Sequence, residues 1–271
     1  MPQSPRFLAP GGYDGVNAKK RIRSIVRALA RAYGSIRTWL DYEDPYELLI
    51  ATIMSAQTTD DMVNKVTPVL FERYPTPEAL AAANPADVEA IIKPTGFYRN
   101  KTKSIIGCAR KIVEDFRGEV PRTIEELITL PGVARKTANV VLANVWPRPA
   151  SDHGIFVDTH IRRVSQRLGL TPHEDPVKIE RDLMELLPAA TWVDVPHQMI
   201  LLGRGPCDAR RPDHDACPLL RWCPTGQAAK AEAPPASTDR PAGGAKPRAR
   251  AARERARRND GDKKKGRPQR T

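Results

Sequence analysis

The 271-residue chain has no run of 18 or more apolar residues, which excludes an ordinary membrane-spanning helix from the sequence reading. Its opening residues, MPQSPRFLAPGGYDG, lack the continuous apolar core of a secretory signal. Cysteine is scarce, four in all, so a secreted disulfide framework is a poor fit. These absences predict a soluble, cytoplasmic protein with no membrane partner. Aromatics make up 6% of the chain and vanish after about residue 227, where Ala, Pro, Gly and Arg dominate. Such a segment cannot bury enough apolar surface to fold, and 226–271 is expected to be a disordered basic tail. Acidic residues are the minority, 32 against 44 Lys and Arg, for a net charge of +12. From Lys230 to Thr271 there are 14 Lys and Arg against 5 Asp and Glu, so +9 sits in the tail and only +3 on residues 1–229. A polyanionic partner fits that total, but any grip by the folded part must come from local arrangement. RARAARERARR and DKKKGRPQR suit DNA phosphates, each neutralised phosphate adding roughly 0.9 to the log–log salt slope. A solubilising extension without a partner is the plainer reading of the same residues.

What is present is helical periodicity, with 40% apolar residues, enough for one or two domains with real cores. In KKRIRSIVRALARAYG, Ile22, Ile25, Val26, Leu29, Ala30 and Tyr33 fall on one face, with Lys20, Arg23, Arg27 and Arg31 opposite. A packed surface helix accounts for this pattern better than a membrane-surface helix. Further helices are predicted over Pro45–Ser55, Asp60–Tyr74, Pro77–Ala83, Pro85–Ile92, Lys101–Phe116, Ile124–Leu130 and Asp175–Leu187. No segment reads as paired strands, so the predicted fold class is all-α.

Two strings carry chemistry: LPGVARKTANVVL from Leu130 to Leu142 and VDTHIRRV from Val157 to Val164. Pro131 and Gly132 break one helical pattern, and Thr137, Ala138, Val140 and Val141 begin another. A helix–turn–helix of this kind turns first-turn N–H groups outward, where they can hold a phosphate without reading a base. The bland alternative is a simple turn followed by a solvated lysine.

LPGVARKTANVV with VDTH resembles the helix-hairpin-helix DNA glycosylases, specifically their lysine-bearing endonuclease III branch. The resemblance extends through PYELLIATIMSAQTTDDMVNK, IIKPTGFYRNKTKSI, GEVP and HQMILLGRGPC, covering roughly residues 19–223. It implies a two-lobed helical fold with DNA in the cleft. One lobe would be a six-helix domain at 38–150 containing the hairpin; the other would combine 16–37 with 151–225 and carry a C-terminal Cys/His cluster loop. Lys136 would project from the first toward Asp158 in the second.

That resemblance implies base excision repair: a glycosylase and abasic-site lyase that removes oxidised pyrimidines from double-stranded DNA, acting as a monomer and, in a bacterium, at the nucleoid. Lys136 would attack the sugar C1′ and form an imine, enabling strand cleavage by β-elimination. Asp158 would stabilise the cationic sugar and assist proton transfers, a role compatible with capping the following helix. Gly132, Val133, Ala134, Arg135 and Thr137 are the candidate phosphate contacts. Gln57 in SAQTT and the TGFY loop, with Phe97 and Tyr98, would fill the gap left by a flipped nucleotide. A core Phe97 and a helix-end Gln57 are the alternatives. Two other functions stay open: a lesion-sensing DNA-binding protein whose catalysis has faded, and, less well matched, an adenine glycosylase.

Three departures from the family pattern stand out. Its C-x6-C-x2-C-x5-C set, which ligates a [4Fe–4S] cluster, is here Cys207, His214, Cys217 and Cys223. Cys3His suits such a cluster or, alternatively, zinc. Cys108 lies in a helical pattern and reads as a core residue. Ala134 replaces a glycine and is expected to cost on the order of 1 kcal/mol if its backbone must be left-handed. WPRPASDHG, before Asp158, is longer than in relatives.

Overall fold

The computed structural model describes residues 15–146 and 152–232. The tail beyond 232 and most of the WPRPA segment lie outside the described residues. Among the described residues every regular element is a helix, in agreement with the all-α expectation, and none is long and apolar enough to cross a membrane. In chain order they are α1 (Gly15–Tyr33), α2 (Pro45–Met54), α3 (Asp60–Arg73), α4 (Pro77–Ala81), α5 (Pro85–Ile92), α6 (Tyr98–Phe116), α7 (Ile124–Leu127), α8 (Arg135–Val145), α9 (Thr159–Arg167), α10 (Pro176–Leu186), α11 (Asp194–Arg204) and α12 (Pro224–Glu232), with three short 3₁₀ turns.

The chain divides into two compact units. One takes the described residues of Met1–Ile36, Thr159–Leu186 and Val195–Thr271; the other is Arg37–Asp158 with Leu187–Asp194. Asp158 therefore closes the unit that carries Lys136, whereas the sequence reading put the two residues in different lobes.

The hairpin unit is built on short helices with explicit starts. Asp44, Thr59, Thr76, Asn84 and Thr123 each offer a side-chain oxygen to a first-turn amide of α2, α3, α4, α5 and α7. Proline occupies the first turn of α2, α4 and α5, where its missing N–H costs nothing. Their apolar faces converge with that of α6 on one core that includes Leu48, Leu49, Met54, Leu70, Leu80, Ile105 and Ile112, all fully buried. Each such side chain contributes about 1.5–3 kcal/mol relative to exposure. Cys108 is buried in the same core, as its helical context predicted, and burial pushes its thiol up to about 12.

In the other unit Ile22, Ile25 and Leu29 are buried on α1, while Val26 and Tyr33 are half-buried and Ala30 is exposed. The buried stripe is thus narrower than the periodicity suggested. Arg21 donates to the carbonyls of Leu168 and Trp222, joining α1 to the chain around the last three cysteines. The helical pattern also runs further than expected: α12 occupies 224–232, so the first residues assigned to the tail are ordered. Gln227 N donates to Cys223 O at 3.0 Å, and Lys230 pairs with Asp215.

Candidate active site

The string from Leu130 to Ala138 forms the expected tight turn and helix start. Val133 N donates to Leu130 O at 3.1 Å to close the turn, and Ala138 N to Ala134 O at 3.0 Å to open α8. Gly132 carries the left-handed angle, φ +79°. A Cβ there would stand 2.8 Å from Ser104 Cβ and 3.1 Å from Ile53 Cγ2, so glycine is required by angle and by space. Beside it the Pro131 ring lies 3.3 Å from where a Cβ on Gly107 would be. The hairpin turn is therefore seated on α6 at two small residues, Ser104 and Gly107.

Ala134 corrects one expectation. Its φ is −93° and ψ 166°, ordinary extended backbone at the position just before α8, so alanine in place of glycine carries no left-handed penalty. It provides no side-chain cap. The first turn of α8 thus receives no side-chain acceptor from its N-cap, an arrangement suited to binding an anion. Arg135 and Lys136 are exposed in that first turn, Thr137 is half-buried and Val133 is buried, so only the backbone of Val133 can face a ligand.

Asp158 is half-buried and immediately precedes α9. The segment leading to it is anchored by Ile155, Phe156 and Val157, all buried, and by a hydrogen bond from Gly154 N to Asn139 Oδ1 at 2.8 Å. Asn139 lies on α8 one turn after Lys136 and is 1% exposed. This buried amide joins the lysine-bearing helix to the aspartate-bearing segment. Sequence reasoning missed it; the available signal was a lone polar residue within the apolar run ANVVLA.

Gln57 is exposed with φ +54°, and Phe97 is 65% exposed with φ +48°. Phe97 is not a core residue, then, and both side chains are carried on strained left-handed backbone. Tyr98 packs partly against the core with the Arg99 guanidinium 5.8 Å from its ring centre. Behind the two loops lies Lys101, 5% exposed, whose Nζ donates to Thr58 Oγ1 at 2.5 Å and Thr95 O at 2.9 Å. Burial holds its pKa below the ordinary lysine range. Nothing in the sequence distinguishes this lysine from a solvated helix charge.

The cysteine-containing loop belongs to the other unit. Arg167, nearly buried, donates to Cys207 O and Sγ, both at 3.3 Å, and to the carbonyls of Asp208 and Ala209 at 2.7 and 3.0 Å. Arg163 adds Gly203 O at 2.8 Å. Asp208 accepts from the Arg210 and Arg211 amides, which hold its carboxyl below the usual range. Burial pushes the Cys217 thiol up to about 11, and the Cys207 and Cys223 thiols push the same way. Cys223 Sγ accepts from Gly226 N at 3.3 Å. A Cβ on Gly226 would meet His214 Nδ1 at 3.2 Å and Cys223 Sγ at 3.5 Å, so imidazole and thiol flank the same glycine. Among the described residues no three His, Cys, Asp or Glu side chains stand as a ready-made metal-binding group.

The profile of the HhH-GPD superfamily base excision DNA repair protein family matches residues 50–189. Endonuclease III of Synechocystis sp. is 52% identical over 210 residues, covering 78% of this chain and 94% of that protein. The Bacillus subtilis endonuclease III is 44% identical over 189 residues, 69% of this chain and 84% of that protein. Among solved structures, a non-covalent endonuclease III–DNA complex superposes with a TM-score of 0.72 at 40% identity, covering 79% of this chain and 99% of that one. A trapped covalent endonuclease III–DNA intermediate does so with the same TM-score and identity, covering 78% and 98%. A thermostable thymine-DNA glycosylase, 22% identical with a TM-score of 0.70, shares the fold. The chain belongs to the HhH-GPD superfamily of base excision DNA repair proteins, in its endonuclease III branch.

Proposed function

We propose that this base-excision-repair glycosylase is bifunctional: it removes oxidised pyrimidines from double-stranded DNA and cuts the resulting abasic site through an imine on Lys136. The observation that carries this reading is Lys136 itself, exposed in the first turn of an α8 that has no side-chain cap, behind a turn seated by Gly132. Phosphates on the α8 amides would bring the sugar toward that amine.

The deprotonated Lys136 amine forms a bond to C1′ while the C1′–base bond breaks and the base leaves with a proton. Ring opening converts the adduct to an imine. Its electron demand acidifies C2′; loss of that proton expels the 3′ phosphate, and water releases the lysine. Asp158 would stabilise positive charge on the sugar and relay protons, its distance from Lys136 governed in part by the Asn139–Gly154 bond. Gln57 and Phe97 would occupy the stack vacated by the flipped nucleotide, an assignment supported by their exposure and backbone angles.

Cys207, His214, Cys217 and Cys223 suit a [4Fe–4S] cluster as a donor set, with zinc the alternative for the same ligands. His214 and Cys223 flank Gly226 and Arg167 bonds the Cys207 segment, which supports a common role. Such a cluster would fix the loop around Arg167 and α12. Iron with visible absorbance in anaerobically purified protein is the expected result; zinc without absorbance replaces the cluster.

Borohydride trapping on abasic duplex DNA tests the central reading. The expected outcome is a covalent adduct with the native protein and none with Lys136→Gln. An adduct that survives the substitution overturns the lysine assignment. Tight binding without any native adduct favours a lesion-sensing protein.

A further inference from the structure

Gln57 and Phe97 are two of only three non-glycine residues with positive φ among the described residues. Side chains avoid that region, and such angles persist where the surroundings over-determine them. The Phe97 ring, 65% exposed, is not held by packing, so the backbone decides where it points. The two loops are joined by a small, partly buried triangle of hydrogen bonds. Lys101 Nζ donates to Thr58 Oγ1 at 2.5 Å and to Thr95 O at 2.9 Å, and Thr58 Oγ1 donates to Thr95 O at 2.5 Å. Thr58 adjoins Gln57; Thr95 is two residues before Phe97. Thr95 Oγ1 in turn donates to Ile92 O at 2.8 Å, tying the second loop to the end of α5.

We propose that Lys101 is a positioning residue for base displacement: its buried ammonium ties segment 55–59 to segment 93–97 and so holds Gln57 and Phe97 at a fixed separation. The proposal rests on reading those two residues as the groups that enter the duplex. A hydroxyl and a carbonyl are weak compensation for burying a cation, which points away from simple stabilisation. Burial lowers the pKa of this amine with no carboxylate among the causes, in keeping with a tie that ends on neutral oxygens. The geometry gives the pair one shared anchor. If either segment moved alone, it would break a bond at Thr58 or Thr95, so the two displaced-base contacts form together.

The test uses the full chain with Lys101→Met, which keeps the stem and removes the charge, and Thr58→Val as the milder variant. Amide hydrogen exchange in 55–59 and 93–97 is expected to speed up at least about tenfold in Lys101→Met, and less in Thr58→Val. Base excision from duplex DNA is expected to fall about 100-fold relative to strand scission at an abasic site in single-stranded DNA, where no stack must be opened. Unchanged exchange in both segments, or equal losses on duplex and single strand, overturns the proposal. Phe97→Ala and Gln57→Ala separate the two layers. If they lose duplex excision while Lys101→Met leaves exchange unchanged, the tie alone falls. If both retain full duplex excision, the duplex-insertion reading falls and the proposal with it.

Discussion

Within the hairpin unit, helices start in two ways. At α2, α3, α4, α5 and α7 a side chain caps the first turn, as Asp44 does for the Glu47 amide at 2.9 Å, and the donors are satisfied from within. At α6 and α8 no side chain caps the helix. Those two starts carry most of the residues proposed to meet DNA, Gln57 before the capped α3 being the exception: Phe97 and Tyr98 on one, Arg135, Lys136 and Thr137 on the other. Their geometry is fixed by other segments instead, by the bonds from Lys101 on α6 to Thr58 and Thr95 and, at α8, by packing of Pro131 and Gly132 on Ser104 and Gly107. A cap would occupy the donors that a phosphate needs; packing and a remote tie hold the helix start and leave those donors to the ligand.

Three substitutions probe that contrast. The largest effect is expected from Gly132→Ala, which places a methyl group against Ser104 and forces alanine to φ +79°. The combined cost is about 2–4 kcal/mol, read as a lower urea midpoint, with weaker duplex binding because the start of α8 shifts. A stability change within experimental error would mean that the turn is not held by packing. Next comes Ala134→Asp, which supplies the missing cap. It should stabilise the fold by about 0.5–1 kcal/mol while weakening abasic-duplex binding about tenfold, the two moving in opposite directions in thermal melts and anisotropy titrations. Tighter binding by this variant would defeat the idea that the uncapped start serves an anion. The smallest functional effect belongs to Asp44→Ala: about 1 kcal/mol of stability lost at a capped start, with DNA affinity unchanged within about twofold.

Much of this was legible in the sequence because its signals are local. Proline in the first turn and Asp, Thr or Asn before it mark helix starts, and apolar spacing marks the buried faces of α2 to α6. The LPGVARKTANVV string located the hairpin and its lysine. What could not be read is set by partners distant in the chain. Lys101 carries the pattern of a surface charge until Thr58 and Thr95 close around it, 43 and 6 residues away. Asn139 gains its meaning from Gly154, 15 residues on. The need for a left-handed residue was assigned to position 134, but the turn places that angle at Gly132. Likewise α6 begins at Tyr98 rather than Lys101 because Gly96 and Phe97 turn sharply just before it. The helix at 224–232 is hidden in the sequence because GQAAKAE shares the Ala-rich composition of the tail, although its Ala, Gln and Lys favour helix.

The Asn139–Gly154 bond has an evolutionary reading. Because the chain is fastened to α8 again just before Ile155, residues can be added to or removed from the stretch after Trp146 without changing where the downstream carboxylate begins. Lengthening such a stretch costs little closure entropy, roughly 0.6 kcal/mol for each doubling. A change of length between Trp146 and Gly154 would thus be insulated from the segment that carries Asp158.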